Sequence, residues 1–160
     1  MRIHRLPDML ESRPLYLDPL VAVLPANHPV LQCLTDGAGL PTATLAREPF
    51  ILFAQSAGSG IQEQIYALCH DAGFSPHIVQ EAHEASTIIG LVAAGLGVSI
   101  LPASCEHFRV ENVRYMPLDT SAAVSEIHVV YHRTEHSPLV GQLVRLLKTT
   151  RTQPNPVRGL

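Results

Sequence analysis

A basic excess is the first thing missing: eleven Lys and Arg stand against fourteen Asp and Glu, a net charge of -3. The basic residues are scattered, apart from a weak cluster at Arg145, Lys148 and Arg151. Without a cationic footprint, the chain as it stands is a poor binder of nucleic acid. No apolar run approaches the roughly 18 residues that would span a bilayer. The longest, Ile88 to Leu101, is interrupted by Gly90, Gly95, Gly97 and Ser99. The opening residues lack the charged and then apolar pattern of an export signal. Three cysteines, Cys33, Cys69 and Cys105, are an odd and widely spaced set. They fit a reduced, cytoplasmic protein better than a disulfide scaffold. Tryptophan is absent, charged residues make up only 16% of the chain, and there is no repeat or low-complexity segment.

What is present is enough apolar material, 46% of 160 residues, for one domain with a real core. Residues Glu84 to Pro102, EASTIIGLVAAGLGVSILP, organise the rest. Ala85, Ile88, Ile89 and Val92 recur at helical spacing. Gly95 and Gly97 bracket Leu96 where the helix must stop. Val98, Ile100 and Leu101 then form a buried strand that Pro102 ends. A helix leading straight into such a strand predicts an α/β fold with a parallel or mixed sheet covered by helices.

Elsewhere the pattern predicts strands over Leu20–Leu24, Phe50–Ala54, His77–Ala82, Val113–Leu118 and Ser125–His132. Met1 to Tyr16 reads as a strand end plus a loop. Thr42 caps a short helix to Arg47. Ser59 with Gln62 fits a capping box for a helix carrying Ile61, Ile65, Leu68 and Cys69, and Gly73 fits its end. Ser104 to Phe108 reads as another short helix. Ser137 caps a last helix with Pro138 at its first position and a core stripe of Leu139, Leu143, Leu146 and Leu147.

Three segments, in order, carry a family resemblance: DPLVAVLPANHPV from Asp18, EPFILFAQSAGSGIQEQI from Glu48, and LVAAGLGVSILP from Leu91. With the closing SPLVGQLVRLLK, the chain resembles the effector-binding domain of LysR-type transcriptional regulators from about Ile3 to Lys148. The resemblance implies a periplasmic-binding-protein-like (type 2) fold of two α/β subdomains with a small effector in the cleft between them. It assigns residues 1–47 and 125–149 to a first, incomplete subdomain and 48–124 to the second, with 150–160 a disordered tail. The helix-turn-helix and the effector domain's own opening are expected to be missing, so the chain reads as a fragment. DNA would be met only through that missing N-terminal domain. The implied partners are a small anionic or aromatic effector and further copies of the chain, without a cofactor or a membrane.

Candidate effector contacts follow from position. The loop Gln55, Ser56, Ala57, Gly58 and Ser59 leaves a strand's C-terminal end and opens a helix, where free N–H groups and the positive dipole end favour a carboxylate. An ordinary cap and turn is the competing interpretation. The resemblance places Pro25, Ala26 and His28 in a facing loop, although for His28 itself a turn-shaping role is favoured. Pro102, with Ala103, could line the cleft, while Ser99 and Ile100 read as core.

Chemistry of other kinds finds little footing. His128, His132 and His136 recur every four residues, but on a strand that interval covers roughly 13 Å, too far for one metal ion. No paired-Cys or His-Glu-x-x-His motif occurs, and Ala57-Gly58-Ser59-Gly60-Ile61 lacks nucleophile-elbow spacing. Among the cysteines, Cys105 reads as the more exposed redox candidate and Cys69 as core. The leading expectation is a non-enzymatic effector sensor. A solute-binding protein of the same fold and a small α/β enzyme are the alternatives.

Overall fold

The computed structural model describes residues 8–34, 37–54, 60–133 and 138–151. Its elements are β1 (Leu10–Pro25), β2 (Pro49–Phe53), α1 (Ile61–Asp71), β3 (His77–Ala82), α2 (Ala85–Ala93), β4 (Ser99–Pro102), β5 (Val113–Pro117), β6 (Val124–His132) and α3 (Pro138–Arg151). Short 3-10 turns cover Pro29–Gln32, Thr42–Leu45 and Ala103–His107. Two compact units emerge: Met1–Leu17 with Glu126–Leu160, and Asp18–Ser125. Residues 18–47 thus pack with the larger unit, because Leu20–Pro25 of β1 lie between β4 and β5.

In the larger unit, β4 and β5 flank β1, both antiparallel to it, with Leu20 opposite Pro102 and Pro25 opposite Val113. β2 and β3 pair in parallel. A parallel bridge joins Phe50 of β2 to Val98, through Ile51 N–H to Val98 O (2.9 Å) and Val98 N–H to Pro49 O (2.8 Å). The strands therefore run β3, β2, β4, β1, β5. Gly97 permits this approach, since a Cβ there would stand 2.4 Å from the Pro49 carbonyl oxygen.

Strand alternation divides the core into two layers. Leu20, Ala22, Leu24, Phe50, Leu52 and Ile100 pack with Ile65, Leu68 and Cys69 of α1. Val23, Ile51, Phe53 and Leu101 pack with Ile88, Ile89 and Val92 of α2. The result is a helix–sheet–helix sandwich. Both helices end in Schellman motifs on the expected glycines. Gly73 (φ 85°) donates to His70 O and Phe74 to Cys69 O; Gly95 (φ 78°) donates to Val92 O and Leu96 to Leu91 O.

The smaller unit contains the N-terminal half of β1, β6 and α3. β6 pairs with β1, and Arg133 N–H reaches Met9 O (2.7 Å). Leu10–Tyr16, expected as loop, is strand because β6 supplies its ladder. The α3 stripe also differs from expectation. Leu139, Leu143 and Leu146 are 72%, 51% and 64% exposed, whereas Val144 is buried. Thr42 does not cap its turn either; Pro41 holds that position, and Thr44 Oγ1 donates to Pro41 O (2.7 Å). Thr150 and Arg151, placed in the expected tail, still belong to α3.

Candidate functional site

The order of connections creates the site. From β2 the chain passes through α1 to β3 on one side; from β3 it returns through α2, past β2, to β4 on the other side. From β4 it continues away from β2 and reaches β5 beyond β1. β2 and β4 are therefore neighbours whose onward connections diverge. In open α/β sheets such a switch point leaves a crevice outside the strands' carboxyl ends. Phe53 and Ala54 end one side of it, and Ala54 N–H is held by Ala82 O at 2.9 Å. Pro102, Ala103 and Ser104 end the other. α1 starts at this end of the sheet, its N-cap Gly60 in the left-handed conformation (φ 64°). Its first-turn N–H groups carry the positive end of an eleven-residue helix dipole.

One buried acid organises the β4 side. Asp18 is only 6% exposed. Its Oδ1 accepts Ser104 N–H at 3.1 Å, and its Oδ2 accepts the Ser104 hydroxyl at 2.7 Å. The carboxylate thereby anchors the turn Ala103–His107, which has no other side-chain cap. Ser104 O is in turn hydrogen-bonded to the His107 ring. Cys105 lies just behind, its thiol pushed up by burial and then by the Asp18 charge. Tyr115 donates to Phe108 O at 2.9 Å, and burial raises its phenol. Nothing in the sequence links Asp18 to Ser104, 86 positions away, so sequence analysis missed both.

The expected site residues separate. Gln55, Ser56, Ala57, Gly58 and Ser59 lie outside the described residues, as does the Ser59 half of the capping box. Gln62, its other half, donates to Glu81 at 3.2 Å. Pro102 ends β4 at the carboxyl end of the sheet. Pro25, Ala26 and His28 are not at that end: with Leu20 opposite Pro102 and Pro25 opposite Val113, they lie at the far end of β1, about 17 Å along the strand. That register sets them apart from Pro102 along the strand. His28 has a structural task there. Its Nδ1 accepts Val30 N–H at 3.3 Å, and its Nε2 lies 3.4 Å from Glu48 Oε2, tying the turn to the start of β2. Pro25 and Ala26 line an open cavity of about 360 Å³ with Asn27, Asn112 and the C-terminal end of α2.

Other candidates resolve similarly. His128 is bonded to Ser12 Oγ (2.7 Å) and Glu126 Oε2 (3.0 Å), and His136 lies outside the described residues. Cys105, expected to be exposed, is buried together with Cys69, while Cys33 is exposed. Burial lifts the Cys69 thiol to about 11. Raised thiols are poor nucleophiles at neutral pH, which removes the redox case for Cys105.

Comparison with known proteins agrees with this architecture. The LysR substrate binding domain matches residues 1–151. An uncharacterized HTH-type transcriptional regulator of Escherichia coli, YnfL, is 40% identical over 139 residues, covering 86% of this chain and 46% of its own length. CatR, an HTH-type transcriptional regulator of Pseudomonas putida, is 38% identical over 130 residues, covering 81% and 43%. The chain thus spans less than half the length of these curated relatives. Among solved structures, the BenM effector binding domain with its effector benzoate superposes with a TM-score of 0.80 at 24% identity, over 99% of this chain and 72% of that one. CbnR, a LysR family transcriptional regulator, gives 0.78 at 17% identity, over 93% and 50%. Those structures share the periplasmic-binding-protein-like type 2 fold, and these relatives are regulators rather than exported solute binders. The chain belongs to the LysR substrate-binding domain family, the effector-binding domain of LysR-type regulators.

Proposed function

We propose that the chain senses a small aromatic or anionic carboxylate at the carboxyl ends of β2 and β4. The observation that carries this reading is the switch point between those strands. There the end of β2, the turn Pro102–Ser104 and the N-terminus of α1 lie at the same end of the sheet. A carboxylate suits the free N–H groups and dipole of α1. Apolar Ala54 and Pro102, at the two strand ends, suit a ring or short aliphatic body. The benzoate bound by BenM has that chemistry.

The role is regulatory rather than catalytic. An effector that binds one arrangement of the domain better than another shifts its population, and a DNA-binding domain of the kind named in the relatives would report the shift. Assembly with further copies of the chain and a cytoplasmic location belong to the same reading. Among the described residues, no helix is long and apolar enough to cross a membrane.

Thermal unfolding of the purified chain against benzoate and a panel of aromatic and short aliphatic carboxylates tests the proposal. A true ligand at about 100 times its dissociation constant adds about 2.7 kcal/mol to the folded state. A cooperative transition that no member of the panel raises rejects the carboxylate assignment.

A further inference from the structure

Asp18 is a buried carboxylate in β1, at the first residue of the larger unit, and both of its oxygens are engaged by Ser104. A buried acid is tolerated only when it is well bonded. Here the bonds go to the segment that forms one side of the crevice. The β1–β4 ladder ends at Leu20 opposite Pro102. Past that pair, the Asp18 side chain ties Ser104 to β1, and the turn Ala103–His107 lacks a cap of its own.

We propose that Asp18 is a positioning residue for ligand binding: it fixes Pro102–Ser104 in the conformation that the ligand meets, so that occupancy of the crevice and the state of β1 at residue 18 are coupled. This rests on the carboxylate site proposed above. The chemistry of the coupling is simple. A ligand packed on Pro102–Ser104 favours the bonded form of Ser104, and the bonded form holds β1. By reciprocity, any change that draws β1 away from Ser104 weakens the ligand by the same factor.

Cys105 supplies a reporter. It adjoins Ser104 and is 9% exposed, so it stays shielded only while the turn is held. The experiment measures site-resolved iodoacetamide labelling in the full chain, with exposed Cys33 and buried Cys69 as internal standards. Benzoate and whichever panel carboxylate raises the melting temperature are the ligands. Asp18→Ala should raise Cys105 labelling about tenfold, as expected for losing charge-assisted hydrogen bonds, and leave Cys69 unchanged. It should weaken the carboxylate by a comparable factor.

Asp18→Asn should bring both readouts back towards wild type. Its amide oxygen accepts Ser104 N–H, and its amide nitrogen donates to Ser104 Oγ. Both variants remove the charge that raises the Cys105 thiol, so the difference between them isolates position from electrostatics. Ser104→Ala, which keeps the backbone bond, should fall between Asp18→Ala and wild type, and it serves if Asp18→Ala fails to fold. Labelling of Cys105 in Asp18→Ala at the wild-type rate overturns the proposal. So does an opened turn with undiminished carboxylate affinity. A wild-type chain that binds none of the panel rejects the site itself, a failure distinct from a site that binds but ignores Asp18.

Discussion

The two compact units are built from the same strand and differ sharply in what they bury. Among the described residues, every buried hydrophobic side chain except Val144 lies in Asp18–Ser125. There a sheet carries helices on both faces, and residues such as Phe50, Ile51, Leu52, Ile88 and Ile100 are fully enclosed. In the smaller unit, two strands and one helix leave Met9, Leu17, Val130 and three α3 leucines exposed. A two-stranded ribbon with a single helix cannot shield both faces. Arg13 there sits at the surface, on Glu11 at 2.9 Å and over the Tyr131 ring at 5.9 Å. Such exposed pairs contribute little. Stability is therefore expected to reside in the unit that holds the candidate site.

Substitution of two glycines tests that view most severely. Gly97→Ala puts a methyl group 2.4 Å from the Pro49 carbonyl oxygen, at the seam that joins β2 to β4. Backbone must move, and the loss should reach at least about 2 kcal/mol in a denaturant melt. Carboxylate binding should fall with it, because the crevice is the end of that seam. Gly90, on the exposed side of α2, has nothing within 4 Å of its missing Cβ. Gly90→Ala should instead stabilise by about 0.5–1 kcal/mol through helix propensity. Equal effects at the two positions would mean that the seam is looser than its geometry indicates.

Alkaline titration should show a smaller effect from the same core. Burial raises the Cys69 thiol from 9.0 to about 11. The unfolded chain therefore loses this proton first. The stabilisation is fully present below pH 9 and disappears as the pH rises through 11, a change of about 3 kcal/mol at most. Cys69→Ala should flatten the decline between those limits, which urea melts across the range would detect. The smaller unit, with no buried thiol among its described residues, should contribute nothing to it.

How much of this was legible in the sequence depended on how local each signal is. Gly73 and Gly95 mark helix ends because only glycine takes a positive φ cheaply, and both Schellman motifs follow. Alternation in PFILF and SILP separates the two core layers for the same reason of short range. The N-terminal half of β1 was not readable, since its partner β6 lies more than a hundred residues away and Pro14 resembles a breaker. The direction of β1 against β4 was equally hidden, and with it the distance between His28 and Pro102. Near the proposed site, the strand-to-helix position and the end of β4 at Pro102 are legible from pattern. Asp18 and Ser104 are not, because a side-chain bond across 86 positions leaves no periodic trace.

The smallest expected effect concerns α3, where periodicity identified apolar stripes but not which one faces inward. Leu139, Leu143 and Leu146 recur at i, i+4 and i+7, and so do Val140, Val144 and Leu147. Helical spacing supports both sets equally; only the second is turned from solvent, with Val144 8% exposed. Val144→Ala should therefore cost about 1 kcal/mol or more in a melt of this chain. Leu143→Ala, at a position 51% exposed, should stay within about 0.5 kcal/mol. Hydrogen exchange gives the contrast a second reading. Amides of α3 should open well below the global unfolding free energy, while those of β2 and β4 should exchange only with it. If Leu143→Ala destabilises as much as Val144→Ala, the leucine stripe is covered in solution and the two units are less unequal than they appear.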